Sequence, residues 1–69
     1  MSERDLRLVK AQLDAHNLKF CCAYLSKAGD IRVTGKGKDG HKEVFSIHWM
    51  QDKETKEIYP ILVNVTKEV

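Results

Sequence analysis

The stretch IRVTGKGKDGHKEVFSIHW, residues 31–49, decides the fold, because it reads as two β-strands joined by a basic loop that is punctuated by glycine. In its second half Phe45, Ile47 and Trp49 alternate with polar residues. Alternation with a period of two is the signature of a strand that buries one face. The stretch therefore predicts a β-hairpin, and every other element can be placed relative to it.

The connecting turn fixes which residues of this hairpin lie opposite one another. A two-residue Asp39-Gly40 turn would set the apolar face of one strand against the polar face of the other. A three-residue loop, 38–40, with Gly40 in the left-handed conformation, instead pairs Val33 with Phe45. We therefore predict the three-residue loop, which also sets Ile31 beside Ile47.

The same reasoning extends the sheet in both directions. A loop of residues 27–29, again with glycine third, pairs Leu25 with Ile31. Across the longer polar loop QDKETKE, matching apolar faces pairs Trp49 with Tyr59. The predicted strands are Lys19–Ser26, Asp30–Lys36, Lys42–Met50 and Ile58–Thr66. The predicted buried rows are Leu25, Ile31, Ile47 and Ile61, and Ala23, Val33, Phe45 and Val63.

The N-terminal segment has the pattern of an amphipathic helix. Ser2 is a favourable N-cap, and apolar residues follow at helical spacing from Leu6 to Leu13. Asn17 suits a left-handed residue at the C-terminal end. We predict a helix from about residue 3 to 16. The chain is thus predicted to be a single α+β domain spanning residues 1–69, with one N-terminal helix packed on a four-stranded antiparallel β-meander (αββββ).

In a meander the first and last strands form the edges of the sheet. Pro60 in the fourth strand suits an edge, where a missing N–H donor does least harm. The small residues Cys21, Ala23 and Gly35 are predicted on the inner face, where they would allow the helix to approach closely.

Composition and charge limit the classes of function. The net charge of +2 is too small to indicate nucleic-acid binding by itself, but residues 27–42 carry five cations against two anions. No apolar run reaches the roughly 20 residues that a membrane span requires. The two cysteines, Cys21 and Cys22, are adjacent and so unsuited to a disulfide with each other. We expect reduced thiols, a cytoplasmic location and no membrane partner.

The face of the sheet that points away from the helix carries more apolar side chains than a solvated face requires. This favours contact with another protein, including a second copy of the chain, through this face and an open edge strand. The predicted partner-binding residues are Phe20, Tyr24, Arg32, Val44, His48, Met50 and Leu62. Coverage of this face by the C-terminal residues is the alternative to a partner.

Nucleic-acid binding is the alternative function. Aromatic and cationic side chains on one sheet face resemble a stacking platform for single strands, and the basic loop could follow a phosphate backbone. The residues for this function are Arg32, Lys36, Lys38, His41 and Lys42. Ribonucleoprotein signature motifs are absent from the sequence.

Two further arrangements indicate little. Ser26, Asp30 and His48 fall in one predicted row, but the acid lies between the serine and the histidine, which does not suit a catalytic triad. Cys22, His41 and His48 match no metal-ligand spacing. We therefore expect a non-enzymatic binding or regulatory protein with no cofactor, no metal and no small-molecule substrate. The small size alone is typical of inhibitors and adaptors, including those that phages and mobile elements encode.

Overall fold

The computed structural model describes residues 1–68 and shows one helix followed by four strands. Within these residues the sheet is antiparallel with the order β1-β2-β3-β4, which confirms the predicted αββββ arrangement. No helix in this part of the chain combines the length and hydropathy of a membrane-spanning segment. The elements are α1 (Glu3–Ala15), β1 (Lys19–Leu25), β2 (Ile31–Lys36), β3 (Lys42–Gln51), β4 (Ile58–Asn64) and a short 3₁₀ helix (Thr66–Glu68).

Capping fixes both ends of α1. The Ser2 hydroxyl accepts a hydrogen bond from the Asp5 N–H at 3.2 Å, as predicted for the N-cap. At the other end Asn17 is left-handed with φ 61°, and the Leu18 N–H donates to the Leu13 carbonyl. The reversal at Asn17 sends the chain directly into β1.

Both predicted glycine turns are present. Gly29 and Gly40 have φ of 91° and 87°, the region that glycine enters without steric cost. The registers that they set pair Leu25 with Ile31 and Val33 with Phe45, as predicted from matching apolar faces.

The hydrophobic core lies between α1 and one face of the sheet, called here the inner face. Val9 and Leu13 of α1 are fully buried, as is Val33 at the centre of β2. Gly35 allows the close approach, because a Cβ there would lie 3.0 Å from the Leu13 Cδ2 atom. The core cluster consists of Val9, Leu13, Leu18, Val33, Phe45 and Ile47, with Phe20, Ile31 and Leu62 packed against it.

The predicted register of β4 is wrong by one residue. Trp49 lies opposite Pro60 instead of Tyr59, and Ile47 lies opposite Leu62. A shift of one residue turns every side chain of a strand to the other face. Leu62 therefore lies on the inner face, against the core, and Ile61 and Val63 do not.

The loop between β3 and β4 sets this register. It closes with a hydrogen bond from the Asp52 N–H to the Glu57 carbonyl, and Lys56 is left-handed with φ 66°. A lysine gives no sequence signal for that conformation. Since the strand IYPILVN is apolar on both faces, matching apolar residues could not distinguish the two registers.

A second prediction is wrong at the start of β1, where the strand contains a β-bulge. Phe20 lies opposite Gly35 and Cys22 opposite Thr34, so Cys21 has no opposite residue. The extra residue turns Phe20 to the inner face, where it packs against the core and Lys10 lies 5.5 Å from its ring centre. Cys21, predicted on the inner face, is exposed.

The helix seals the open edge of β4. The Gln12 side-chain amide donates to the Pro60 carbonyl at 2.8 Å and accepts from the Leu62 N–H at 3.0 Å. Arg4 donates to the Ile58 carbonyl at 3.3 Å and pairs with Glu57. Pro60, at the edge as predicted, has no N–H to satisfy. Three of the backbone groups that a further strand would use on β4 are thus already engaged.

Candidate partner-binding surface

The outer face of the sheet is the side opposite α1, and no helix covers it in the described chain. Its central row is Tyr24, Arg32, Ser46 and Val63, as the register of the four strands shows. Tyr24, Met50 and Val63 are 39%, 48% and 41% exposed. These exposed apolar side chains make the outer face a candidate contact surface.

Five of the seven predicted partner-binding residues lie on the outer face, namely Tyr24, Arg32, Val44, His48 and Met50. Phe20 and Leu62 do not, because the bulge and the β4 register turn them into the core. The observed register of β4 also places Tyr59, Ile61 and Val63 on the outer face, where the sequence did not predict them. The unbroken apolar run of β4 was the signal that these residues were candidates, but it could not assign their face.

The C-terminal residues border this face on one side. The Val65 N–H donates to the Val44 carbonyl at 2.8 Å, and the Thr66 hydroxyl accepts from the Val44 N–H at 3.0 Å. These contacts continue the β3–β4 pairing at one corner. Tyr24, Met50 and Val63 remain exposed, so this segment does not cover the outer face.

The outer face is free of acidic side chains within the four strands. The strand sequences KFCCAYL, IRVTGK, KEVFSIHWMQ and IYPILVN contain one acidic residue, Glu43. Glu43 alternates with Val44 and therefore points to the inner side. Its carboxylate accepts a hydrogen bond from the Asn64 side chain at 2.9 Å. The cations of the outer face thus have no acidic strand residue beside them.

Arg32 is the cation at the centre of this face. Its Nε atom is buried and has no hydrogen-bond partner, and the residue as a whole is partly exposed. Ser46, next to it in the central row, is only 7% exposed. Among the described ion pairs and cation–aromatic contacts, Arg32 takes part in none. A buried N–H without an acceptor is unfavourable, and the rest of this guanidinium is free to pair with an acceptor.

Comparisons with known proteins do not assign this chain to a family. A comparison with family models found no match, and neither the curated proteins nor the solved structures that were searched contain a similar chain. The function must therefore be argued from this surface itself.

A row of three lysines forms the basic end of the outer face. Lys19 lies opposite Lys36, and Lys36 lies opposite Lys42. Like charges in directly opposite positions destabilise a sheet. No lysine of the described chain forms an ion pair. Beside this row a groove of about 420 Å³ is lined by Lys19, Lys36 and Lys38, together with Asp14 of α1. Lys19 was not predicted on this face, because the bulge that turns it outward was not predicted.

His41, predicted to bind nucleic acid, is engaged within the protein. Its Nδ1 atom contacts the Asp39 carboxylate, and its Nε2 atom lies 3.2 Å from Glu43 Oε2. Hydrogen bonds, first with Asp39 and then with Glu43, raise the pKa of His41 above the ordinary value of 6.5. The same cluster lowers the pKa of Asp39 through His41 and that of Glu43 through Asn64 and His41. Its two carboxylates cancel the ring's charge, so His41 adds nothing to the basic row.

The cluster gives a defined pH dependence. A raised pKa means that protonated His41 stabilises the fold, fully below pH 6.5 and less as pH rises through the folded pKa. Lowered pKa values mean that Asp39 and Glu43 contribute fully above 3.8 and 4.5 and lose their contribution as pH falls. All three therefore contribute between pH 4.5 and 6.5.

We predict that an NMR titration of the His41 ring gives a midpoint above 6.5, and that Asp39→Asn and Glu43→Gln each lower this midpoint. Glu57→Gln, which removes a carboxylate from the distant β3–β4 loop, should leave it unchanged. A wild-type midpoint at or below 6.5 would show that the cluster does not hold the proton.

Neither the row of Ser26, Asp30 and His48 nor the set of possible metal ligands, Cys22, His41 and His48, gains support from the structure. The Ser26 hydroxyl accepts from the Asp30 N–H at 3.1 Å, which is a turn contact, and the His48 side chain appears in none of the described side-chain hydrogen bonds. Among the side chains that the structure describes, residues 1–67, no three His, Cys, Asp or Glu are arranged so that they could hold a metal ion.

Proposed function

We propose that this protein binds an acidic surface of another protein through the outer face of its sheet, in the manner of a small non-enzymatic inhibitor or adaptor. The observation that carries the proposal is Arg32, which is unpaired and partly shielded in the middle of a face whose strands hold no acid there. A carboxylate from a partner would pair with the exposed part of its guanidinium. Exposed Tyr24, Met50 and Val63 would supply the apolar contact area around it.

Several features favour a protein over other ligands. Aromatic residues, methionine and arginine are enriched at protein interfaces, and arginine at a central position often dominates the binding energy. A valine and a methionine give little to a nucleic acid but suit an apolar protein patch. The exposed thiols of Cys21 and Cys22 are free, in accordance with the reducing cytoplasm that we propose as the location.

The test is capture of a partner by immobilised protein from nuclease-treated extract of the source cell. We expect Arg32→Glu and Val63→Glu each to reduce recovery of the captured protein at least about tenfold, because each places a carboxylate on the apolar and cationic surface. Lys53→Glu, the same kind of change in the exposed β3–β4 loop, should not reduce it. Circular dichroism would establish that all three variants are folded.

Equal recovery with Arg32→Glu and with Lys53→Glu would contradict the proposal. Leu62→Glu is not a useful variant, although Leu62 was predicted on this face, because it would place a charge in the core.

A second candidate function, nucleic-acid binding, is favoured by the lysine row alone. Lys19, Lys36 and Lys42 could contact successive phosphates, with Lys38 beside them. The stacking platform is weaker than predicted, since Phe20 lies in the core. Titration of a labelled single strand at several salt concentrations tests this function. Nucleic-acid binding requires that the affinity falls steeply as the salt concentration rises. The triple variant Lys36→Glu, Lys38→Glu, Lys42→Glu should no longer show this salt dependence.

A further inference from the structure

The two edges of the sheet differ in a way that points to self-association. On β4 the outward carbonyls of Ile58 and Pro60 and the outward N–H of Leu62 bond to α1. On β1 no side chain of the described residues bonds to the outward groups of the segment 22–25. This segment also has no proline and no charged residue. Proteins usually protect long apolar edges by such means.

The direction of the β1 backbone groups follows from the neighbouring turn. The Ser26 N–H donates to the Asp30 carbonyl, so Ser26, Tyr24 and Cys22 direct their backbone groups toward β2. Ala23 and Leu25 therefore direct theirs to the open side. Leu25 is also 70% exposed on the inner face, at a corner that α1 does not cover.

We propose that β1 pairs in antiparallel fashion with β1 of a second copy, about a two-fold axis at Tyr24, and joins the two sheets into one. This rests on the contact through an open edge strand that the sequence predicts, and not on the proposed outer-face site. In this register Ala23 of each copy lies opposite Leu25 of the other, and the two residues exchange N–H···O=C bonds. All outward groups of both residues are then satisfied.

Side chains support this register over the one with its axis at Ala23. An axis at Ala23 would pair Leu25 with Cys21, which lies in the bulge and is not in regular strand geometry. The axis at Tyr24 brings the two Tyr24 rings together on the outer face, and apolar Ala23 against Leu25 on the inner face. No pair of like charges becomes opposed. Because α1 seals β4, association stops at two copies instead of continuing into a filament.

The area of the contact indicates a modest affinity. A pairing of residues 22–26 is smaller than the roughly 800 Å² per partner of a standard interface. We therefore expect a reversible dimer with a dissociation constant in about the micromolar range. A chain of 69 residues gains from such association, since its own core is small.

The experiment is sedimentation velocity of the purified protein, in reducing buffer, over a range of concentrations. We expect a monomer–dimer equilibrium that Leu25→Lys weakens at least about tenfold, since a charge at an edge strand opposes pairing. Ile58→Lys is the matched control: Ile58 is 56% exposed at the sealed edge, and its replacement should leave the equilibrium unchanged. Ala23→Pro, which removes an N–H that β2 does not use, should also abolish the dimer.

Two results would overturn the proposal: a wild-type protein that remains monomeric to about 1 mM, or equal dimerisation of the Leu25→Lys and Ile58→Lys variants. Register is tested by oxidation in a Cys21→Ser, Cys22→Ser background. Tyr24→Cys, at the axis, should form a disulfide-linked dimer faster than Leu25→Cys, and the reverse order would reject this axis.

Failure of this proposal can be distinguished from failure of the proposed function. Capture of the acidic partner is repeated with the Leu25→Lys variant, which is monomeric under the proposal and keeps Arg32. Retained capture by a monomer supports the outer-face site independently of dimerisation.

Discussion

Leu13→Ala is expected to lower the free energy of unfolding by about 3–5 kcal/mol. Leu13 is fully buried, and its Cδ2 atom lies where a Cβ on Gly35 would be only 3.0 Å away. Removal of this side chain leaves a cavity between helix and sheet that the surrounding backbone cannot readily fill. A domain of this size has about 3–10 kcal/mol of stability in total, so the variant should be marginally folded at 25 °C.

Urea denaturation of the wild type and the variant measures this loss. Ile58→Ala is the control, since Ile58 is 56% exposed and its truncation should cost less than about 1 kcal/mol. Equal costs for the two variants would mean that the helix does not pack on the sheet through Leu13.

Gln12→Ala is expected to cost about 1–3 kcal/mol, the second largest effect, because it leaves the Pro60 carbonyl and the Leu62 N–H without partners. The loss should also have a local signature. Hydrogen exchange of the Leu62 amide should become about ten to a hundred times faster, since the bond to Gln12 protects it.

Arg7→Ala provides the comparison for Gln12. Arg7 is an exposed residue of the same helix, and its i,i+4 pair with Glu3 contributes at most a few tenths of a kcal/mol. If Gln12→Ala left exchange at Leu62 unchanged, the seal on the β4 edge would be absent and filament formation would no longer be blocked.

The fold could be predicted where local chemistry and burial agree. Ser2 and Asn17 mark the helix ends, and the glycines at 29 and 40 occupy the left-handed positions that their turns require. Each signal is local, and each is strengthened by apolar faces that match in only one register. The αββββ order follows from these signals together.

The register of β4 could not be predicted, because its sequence lacks alternation. Either face of IYPILVN can be buried, so the choice falls to tertiary contacts. The Gln12 amide fits the backbone of Pro60 and Leu62, and Lys56 takes a left-handed conformation to close the loop. None of these contacts is visible in a hydrophobic pattern.

The errors in the predicted edge strands changed which residues form the candidate site. The residues on β2 and β3 that were predicted to bind a partner remain on the outer face, because the central hairpin was predicted correctly. Phe20 of β1 and Leu62 of β4 lie on the inner face. Neighbouring residues of the same strands, Lys19 in β1 and Ile61 and Val63 in β4, lie on the outer face instead. Errors at the edges therefore altered the rim of the surface and left Arg32 at its centre.

The candidate site depends on one arrangement: Leu62 faces α1, and Ile61 and Val63 face outward with Arg32. A methyl-resolved nuclear Overhauser spectrum of the labelled protein tests it most directly. The structure predicts cross-peaks from the Leu62 methyls to those of the Val9 and Leu13 cluster, and none from Val63 to these helix residues. Cross-peaks from Val63 or Ile61 to Val9 and Leu13, without any from Leu62, would contradict the claim and place the proposed contact surface inside the protein.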